Sequence, residues 1–160
     1  MAASFPRPNA HSEGLVIEFT DNSGDRWVGN FARGHGIVCD VRDELGEKAI
    51  IVVACGAGYV VDARARCLTR ELNGGITGIW YRHGLRAMIV TNGVWFEAFD
   101  ASTMLWKSRR LSWDGVRAVE FSAVTVRGEA YSPFSDDWAP FEVSLSDGEV
   151  VGGSYTGPPM

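Results

Sequence analysis

"KAIIVVACGAGYVVDARARCLTREL" (residues 48–72) and "RAMIVTNGVWFEAFDASTMLWKSRRL" (residues 86–111) repeat one pattern at an offset of 38 residues. Each opens on a short apolar run, "IIVVA" or "MIVT", and breaks at a glycine-bearing turn. Each resumes with "GYVVDA" or "VWFEAF" and turns again at an aspartate, so that Asp62 falls on Asp100 and Leu68 on Trp106. Short β-branched and aromatic runs between turn formers predict strands. A period of this length holding several strands predicts a fold made by repeating a small sheet.

The flanking sequence has the same texture. "GLVIEF" and "FEVSLS" are further strand candidates, and Ser23-Gly24, Asn73-Gly74-Gly75, Asn92-Gly93, Asp114-Gly115 and Asp147-Gly148 stand between apolar runs as hairpin turns. At Asp147-Gly148 a two-residue loop would set Leu145 opposite Val150, Val143 opposite Gly152 and Phe141 opposite Ser154, with Glu142 and Ser144 on the wet face. No proline falls between Pro8 and Pro133, which suits a long succession of hydrogen-bonded strands. The nearest approach to a helix, "VRDELGEKA" (41–49), is broken by Gly46 and predicts a charged turn. A weaker echo links "RWVGNFARG" (26–34) with "EVVGGSYTG" (149–157), which suggests equivalent places for the first and last hairpins.

"NGVWFEAFDASTMLWKS" (92–108), with its aspartate before a turn and tryptophan after it, resembles the strand-turn-strand of a quinoprotein-type propeller blade. The expected fold is therefore all-β: a single-domain antiparallel meander over residues 13–157, propeller-like, with a rolled β-barrel or sandwich as the alternative.

Composition narrows function. At 160 residues, 46% apolar and 11% aromatic, the chain is long enough for a well-buried core. A net charge of -5 disfavours nucleic acid and anionic membranes, which reward a basic surface. From Val124 onward the only basic residue is Arg127, against Glu129, Asp136, Asp137, Glu142, Asp147 and Glu149, so the acidity belongs to the last quarter and suits a basic partner. "MAASFPRPNAHS" (1–12) lacks the apolar stretch of a signal peptide and predicts a disordered leader; a cytoplasmic protein is expected. Cys39, Cys55 and Cys67 form no CxxC and sit in apolar stretches, where thiols are expected to pack buried as small hydrophobes.

Enzyme signatures are missing: "GGSYTG" has the wrong offsets for a nucleophile elbow, and neither phosphate-binding nor zinc-protease spacing occurs. No catalytic residue, metal or cofactor is predicted. Of the histidines, only His83, in "WYRHGL", has the company of a site residue, though a loop histidine without a role is the better reading. Trp113 and Asp114 in "LSWDGV" would form either an indole-carboxylate pair for a cationic or sugar-like group, or simply a hairpin. In "YSPFSDDWAPF" (131–141), Asp136 and Asp137 are adjacent on an extended segment. They should point to opposite faces and so make a poor acid-base pair. What survives is an acidic, aromatic-lined loop of Tyr131, Phe134, Asp136, Asp137 and Trp138.

"SWDGVRAVEF", "RGEAYSPFSDDWAPFEVSLSDG" and "GGSYTGP" together resemble a C-terminal pattern of small, uncharacterised bacterial proteins: S-W-D-G, G-E-A-Y, D-x-W-x-P-F-x-V and G-G-S-Y. The likeness spans Ser112 to Pro158, and Ser144 stands where the pattern usually has Asp. It implies a shared β-rich fold and brings no activity or cofactor. The expected function is non-enzymatic binding to a basic protein partner, with a neutralising, immunity-type protein as one concrete version. A small-molecule or carbohydrate binding module is the alternative, and a hydrolase with an unfamiliar site around His83 and Asp114 is third.

Overall fold

The computed structural model of the chain describes residues 2–6, 13–21 and 23–158. Their strands are β1 (Ala2–Phe5), β2 (Leu15–Thr20), β3 (Arg26–Phe31), β4 (Asp40–Arg42), β5 (Ile50–Ala54), β6 (Ala57–Asp62), β7 (Cys67–Leu72), β8 (Gly78–Arg82), β9 (Ala87–Thr91), β10 (Phe96–Phe99), β11 (Met104–Lys107), β12 (Val116–Phe121), β13 (Thr125–Ser132), β14 (Asp137–Ser144) and β15 (Val150–Gly152). Helix among these residues is confined to single 3-10 turns at Glu47–Ala49 and His83–Leu85. The fold is all-β. The segment 41–49, expected as one charged turn, is not a helix but holds the end of β4, a turn and one of those 3-10 turns.

Four sheets form in chain order. Strands β4 to β7, β8 to β11 and β12 to β15 each make a four-stranded antiparallel meander of consecutive strands, and β1, β3 and β2 make a three-stranded sheet. The repeated four-strand meander agrees with the 38-residue period and is a unit common to propeller-like and sandwich folds. None of these sheets closes on itself, so the rolled-barrel alternative is set aside. The offset also survives in detail: β5, β6 and β7 correspond to β9, β10 and β11. Asp62 accepts the backbone N–H of Ala65 at 2.7 Å, and Asp100 accepts those of Ser102 and Thr103 at 2.7 and 2.8 Å. Asp147 does the same for Glu149 at 3.1 Å between β14 and β15. An aspartate there satisfies N–H groups that the ladder leaves free at the turn.

The chain divides into two compact units, residues 1–77 and 78–160, where the sequence suggested one domain over 13–157. In the first, Phe5, Phe19, Trp27 and Phe31 pack with Val52, Ala54, Tyr59 and Val61. In the second, Ile89, Phe96, Trp106 and Leu111 pack with Val126, Phe141, Val143 and Leu145. Trp106 ties two of its sheets together, its indole N–H donating to the Leu145 carbonyl at 2.9 Å. The residues "IVVA" of β5 and "AMIVT" of β9 are buried throughout, which is why these strands read as unbroken apolar runs rather than alternations.

Several expectations are corrected. Residues 2–5, assigned to the disordered leader, form β1 and pair in parallel with β3 from Ala2↔Val28 to Phe5↔Phe31, because Phe5 joins the aromatic core. Residues 7–12 lie outside the described residues. Asn73-Gly74-Gly75 and Asp114-Gly115 are not hairpins: they join β7 to β8 and β11 to β12, strands of different sheets. The last hairpin pairs Val143 with Val150 and Phe141 with Gly152, two residues away from the expected register. Its loop is longer, closed by Ser144 N–H to the Glu149 carbonyl and Gly148 N–H to the Ser144 carbonyl. A two-residue slip preserves the faces, so Phe141, Val143 and Leu145 are still buried. β3 is central in its sheet and β15 an edge strand, so the echo between them does not mark equivalent positions. Cys39 and Cys67 are exposed and only Cys55 is buried: Cys39 precedes the edge strand β4, and Cys67 opens β7 on its exposed side.

Candidate functional site: an aromatic cleft in the second unit

β13 and β14 are joined by the four-residue turn Pro133–Asp136, with Ser132 opposite Asp137 and Tyr131 opposite Trp138. Asp136 occupies the left-handed region at φ 50°, which an aspartate tolerates better than most residues. Its Oδ1 accepts the Tyr131 hydroxyl at 2.7 Å. Asp137 opens β14 and accepts its neighbour's N–H, from Trp138, at 2.7 Å. The two carboxylates are thus held by different donors, a turn residue and a strand entry. Phe134 at the tip of the turn is 78% exposed.

Against this hairpin lies a cleft of about 550 Å³ lined by Trp113, Phe134, Asp137, Trp138, Ser154 and neighbouring small polar residues. Aromatic rings at and beside the cleft touch in two groups: Phe134 meets Trp113 edge-on at 4.9 Å and Trp113 meets Tyr155 at 4.5 Å, while Tyr131 and Trp138 pair separately at 5.1 Å between centroids. Guanidinium groups already sit on these rings. Arg110 lies 4.8 Å from the Tyr155 centroid and 5.5 Å from that of Trp113, and Arg117 lies 4.1 Å from that of Trp138.

The four C-terminal motifs meet beneath the cleft. The Ser154 hydroxyl donates to the Tyr131 carbonyl at 2.6 Å, the Ser112 hydroxyl donates to the Gly115 carbonyl at 2.6 Å with the Tyr131 carbonyl 3.3 Å away, and the Trp113 N–H reaches the Tyr131 carbonyl at 3.3 Å. Tyr131 N–H returns to the Gly115 carbonyl at 3.1 Å, and Ser154 N–H binds the Leu111 carbonyl at 2.8 Å. Gly152 and Gly153 are required where they stand. Both have positive φ, and a Cβ on either would meet the Pro140 or Leu111 carbonyl oxygen at 2.4 Å. Ser144, the departure from the C-terminal pattern, is the last residue of β14, opposite Thr125 and bonded to Ser146, and is not among the cleft residues.

Two ion pairs account for part of the acidic excess. Glu129 pairs with Arg117 at 2.6 Å and Glu142 with Arg127 at 2.5 Å. Asp136 and Asp137 make no ion pair among the described residues, so negative charge at the hairpin is concentrated on them. Tyr131 feels it: the hydrogen bond to the Asp136 carboxylate raises its phenol above the ordinary value, with desolvation and the charges of Asp136 and Asp114 adding to the effect.

Of the residues proposed from sequence, Trp113, Phe134, Asp137 and Trp138 line the cleft, and Tyr131 and Asp136 are bonded to each other beside it. Asp114 does not line it but lies within electrostatic reach of Tyr131. His83 is not brought in: it is exposed in the 3-10 turn after β8, with its ring against Tyr81 at 4.8 Å. Sequence reasoning missed Tyr155, Ser154, Arg110 and Arg117. The first two lie in "GGSYTG", which signals itself only as a motif, and the arginines carry no local signal. A second hollow, about 360 Å³ in the first unit, is lined by Asp21, Ser23, Glu47 and Arg64. It has no aromatic wall, and Asp21 there already accepts Ser23 and Asp25 within its own turn. Among the described residues no cluster of histidine, cysteine and carboxylate side chains could hold a metal ion, and no helix is long and apolar enough to cross a membrane.

No protein family, curated protein or solved structure matches the chain.

Proposed function

We propose that the protein is a non-enzymatic binding protein that engages a basic protein partner through the cleft between Trp113 and the β13–β14 hairpin, as a neutralising, immunity-type protein would. The observation that carries this reading is the gathering of Trp113, Phe134, Trp138 and Asp137 on one cleft. Aromatic faces beside a carboxylate attract lysine and arginine side chains through the ring quadrupole and the charge together. Arg110 and Arg117 make that same contact within the protein. An exposed Phe134 flanked by half-buried tryptophans has the composition of an interface anchor.

A second reading, a small-molecule or carbohydrate module, is favoured by the hydroxyls of Ser132, Ser135 and Thr156 along the same cleft. Tryptophan fluorescence separates the two. Titration with an oligolysine peptide should perturb the emission, weaken with added salt, and fall at least several-fold in affinity in Trp138→Ala. A response to a neutral oligosaccharide and none to the peptide would transfer the site to the second reading. Silence towards both would overturn the cleft as a binding site.

A further inference from the structure

In the first unit, Cys39 and Cys55 approach to 3.1 Å between sulfur atoms. The Cys55 sulfur also accepts Nε and Nη2 of Arg33 at 3.1 and 3.0 Å, and the Cys55 N–H donates to the Cys39 sulfur at 3.2 Å. A forked guanidinium on a sulfur atom is the arrangement that stabilises a thiolate. Accordingly the Cys55 thiol is pushed below its ordinary value, by the Cys39 hydrogen bond first and Arg33 second. Arg33 is raised in return, with Cys39 and Glu13 adding smaller contributions.

The surrounding backbone is built to hold this geometry. Cys55-Gly56 is the two-residue turn between β5 and β6, with φ 49° and 83°. Glycine, asparagine or aspartate usually fill the first place, and a cysteine there is unusual. The strap Arg33–Gly36 is pinned to the turn by Gly34 N–H to the Ala54 carbonyl at 2.9 Å and Gly36 N–H to the Cys55 carbonyl at 2.8 Å. A Cβ on Gly34 would stand 2.6 Å from the Cys55 oxygen, so only glycine lets Arg33 come this close. Cys55 is 7% exposed, whereas Cys39 is open to solvent.

We propose that Cys55, Cys39 and Arg33 form a peroxide-reactive dithiol site, in which Cys55 is the nucleophile and Cys39 the resolving thiol. The Cys55 thiolate attacks one oxygen of a small hydroperoxide: the S–O bond forms, the O–O bond breaks, and the leaving oxygen takes a proton to depart as an alcohol or water. The Cys39 sulfur then attacks the Cys55 sulfenic acid. The S–S bond forms, the S–O bond breaks, and the hydroxyl leaves with the Cys39 proton as water. Two thiols supply the two electrons that reduce the peroxide. A soluble thiol can then attack the exposed Cys39 sulfur and release Cys55, the better leaving group, as thiolate; a second thiol resolves the Cys39 mixed disulfide, restoring the dithiol as the two soluble thiols leave as a disulfide.

The test treats the fully reduced protein with limiting hydrogen peroxide, blocks remaining thiols with N-ethylmaleimide and maps the peptides by mass. A Cys39–Cys55 disulfide should form while exposed Cys67 stays alkylated. Cys39→Ser should stop at a Cys55 sulfenic acid that dimedone captures, and in Cys55→Ser the Cys39 thiol should react no faster than Cys67. Arg33→Gln should slow Cys55 alkylation by iodoacetamide at neutral pH severalfold, because the thiolate loses its forked donor. Oxidation spread evenly over the three cysteines, or no Cys39–Cys55 bond in the unmutated protein, overturns the proposal whatever the variants do. An unchanged alkylation rate in an Arg33→Gln protein of unaltered melting temperature would do so as well.

Discussion

Replacing Asp136 and Asp137 together by asparagine removes two charges and little else. Asparagine keeps the oxygen that accepts the Tyr131 hydroxyl at 2.7 Å and the one that accepts the Trp138 N–H at 2.7 Å. It is also at home at φ 50°, where Asp136 sits. Both side chains are exposed, so the free energy of unfolding should change by no more than the ~0.5 kcal/mol typical of such positions. Association with a cationic partner should change more. A unit charge about 7 Å from a partner cation contributes about 0.6 kcal/mol in water, so two contribute about 1.2 kcal/mol before screening. At a Debye length of ~30 Å roughly four-fifths of that remains, and at ~8 Å about two-fifths. The association rate for an oligolysine peptide, followed by stopped-flow tryptophan fluorescence, should therefore fall about fivefold at 0.01 M salt and only about twofold at 0.15 M. A deficit that does not shrink with salt would refute the electrostatic reasoning. A melting temperature lowered by more than a few degrees would show instead that the charged forms hold the turn.

Gly148→Ala would place a Cβ 2.7 Å from the Trp106 ring at a φ of 77°. A loss of about 2 kcal/mol, or a melting point lower by roughly 4 to 8 °C in calorimetry, is expected; a neutral result would mean the turn relaxes freely. Asp147 is held below its ordinary value of 3.8 by the Ser144 hydroxyl and then the Glu149 N–H. Its contribution is thus fully present above the unfolded value and lost as pH falls through the folded one, so Asp147→Asn should flatten the acid limb of stability against pH below about 4. Tyr131, raised by the Asp136 hydrogen bond, should titrate later than free tyrosine by ultraviolet absorbance, and Asp136→Ala should bring it back. His83→Ala, at an exposed residue that does not line the cleft, should leave oligolysine binding unchanged; a loss would extend the site to the β8 turn.

Local chemistry was enough to announce β2, β5, β6, β9, β10 and β14, the 38-residue repeat and the aspartates at its turns. Strand propensity, alternation and turn-forming side chains act over a few residues, and Asp62 and Asp100 do the same work in the structure that their places in the repeat suggest. The register of the last hairpin was beyond that reach, because a shift of two residues leaves Phe141 and Val143 on the buried face and the alternating pattern unchanged. Tertiary structure alone decided which turns join separate sheets, that Phe5 would enter the core and draw β1 into a sheet, and that Tyr155 would fold back onto Trp113. It also brought Arg33 and Cys39 to Cys55 from 22 and 16 residues away. Such meetings depend on which strands lie side by side and how tightly glycines let them approach, and neither is written in the periodicity of any single segment.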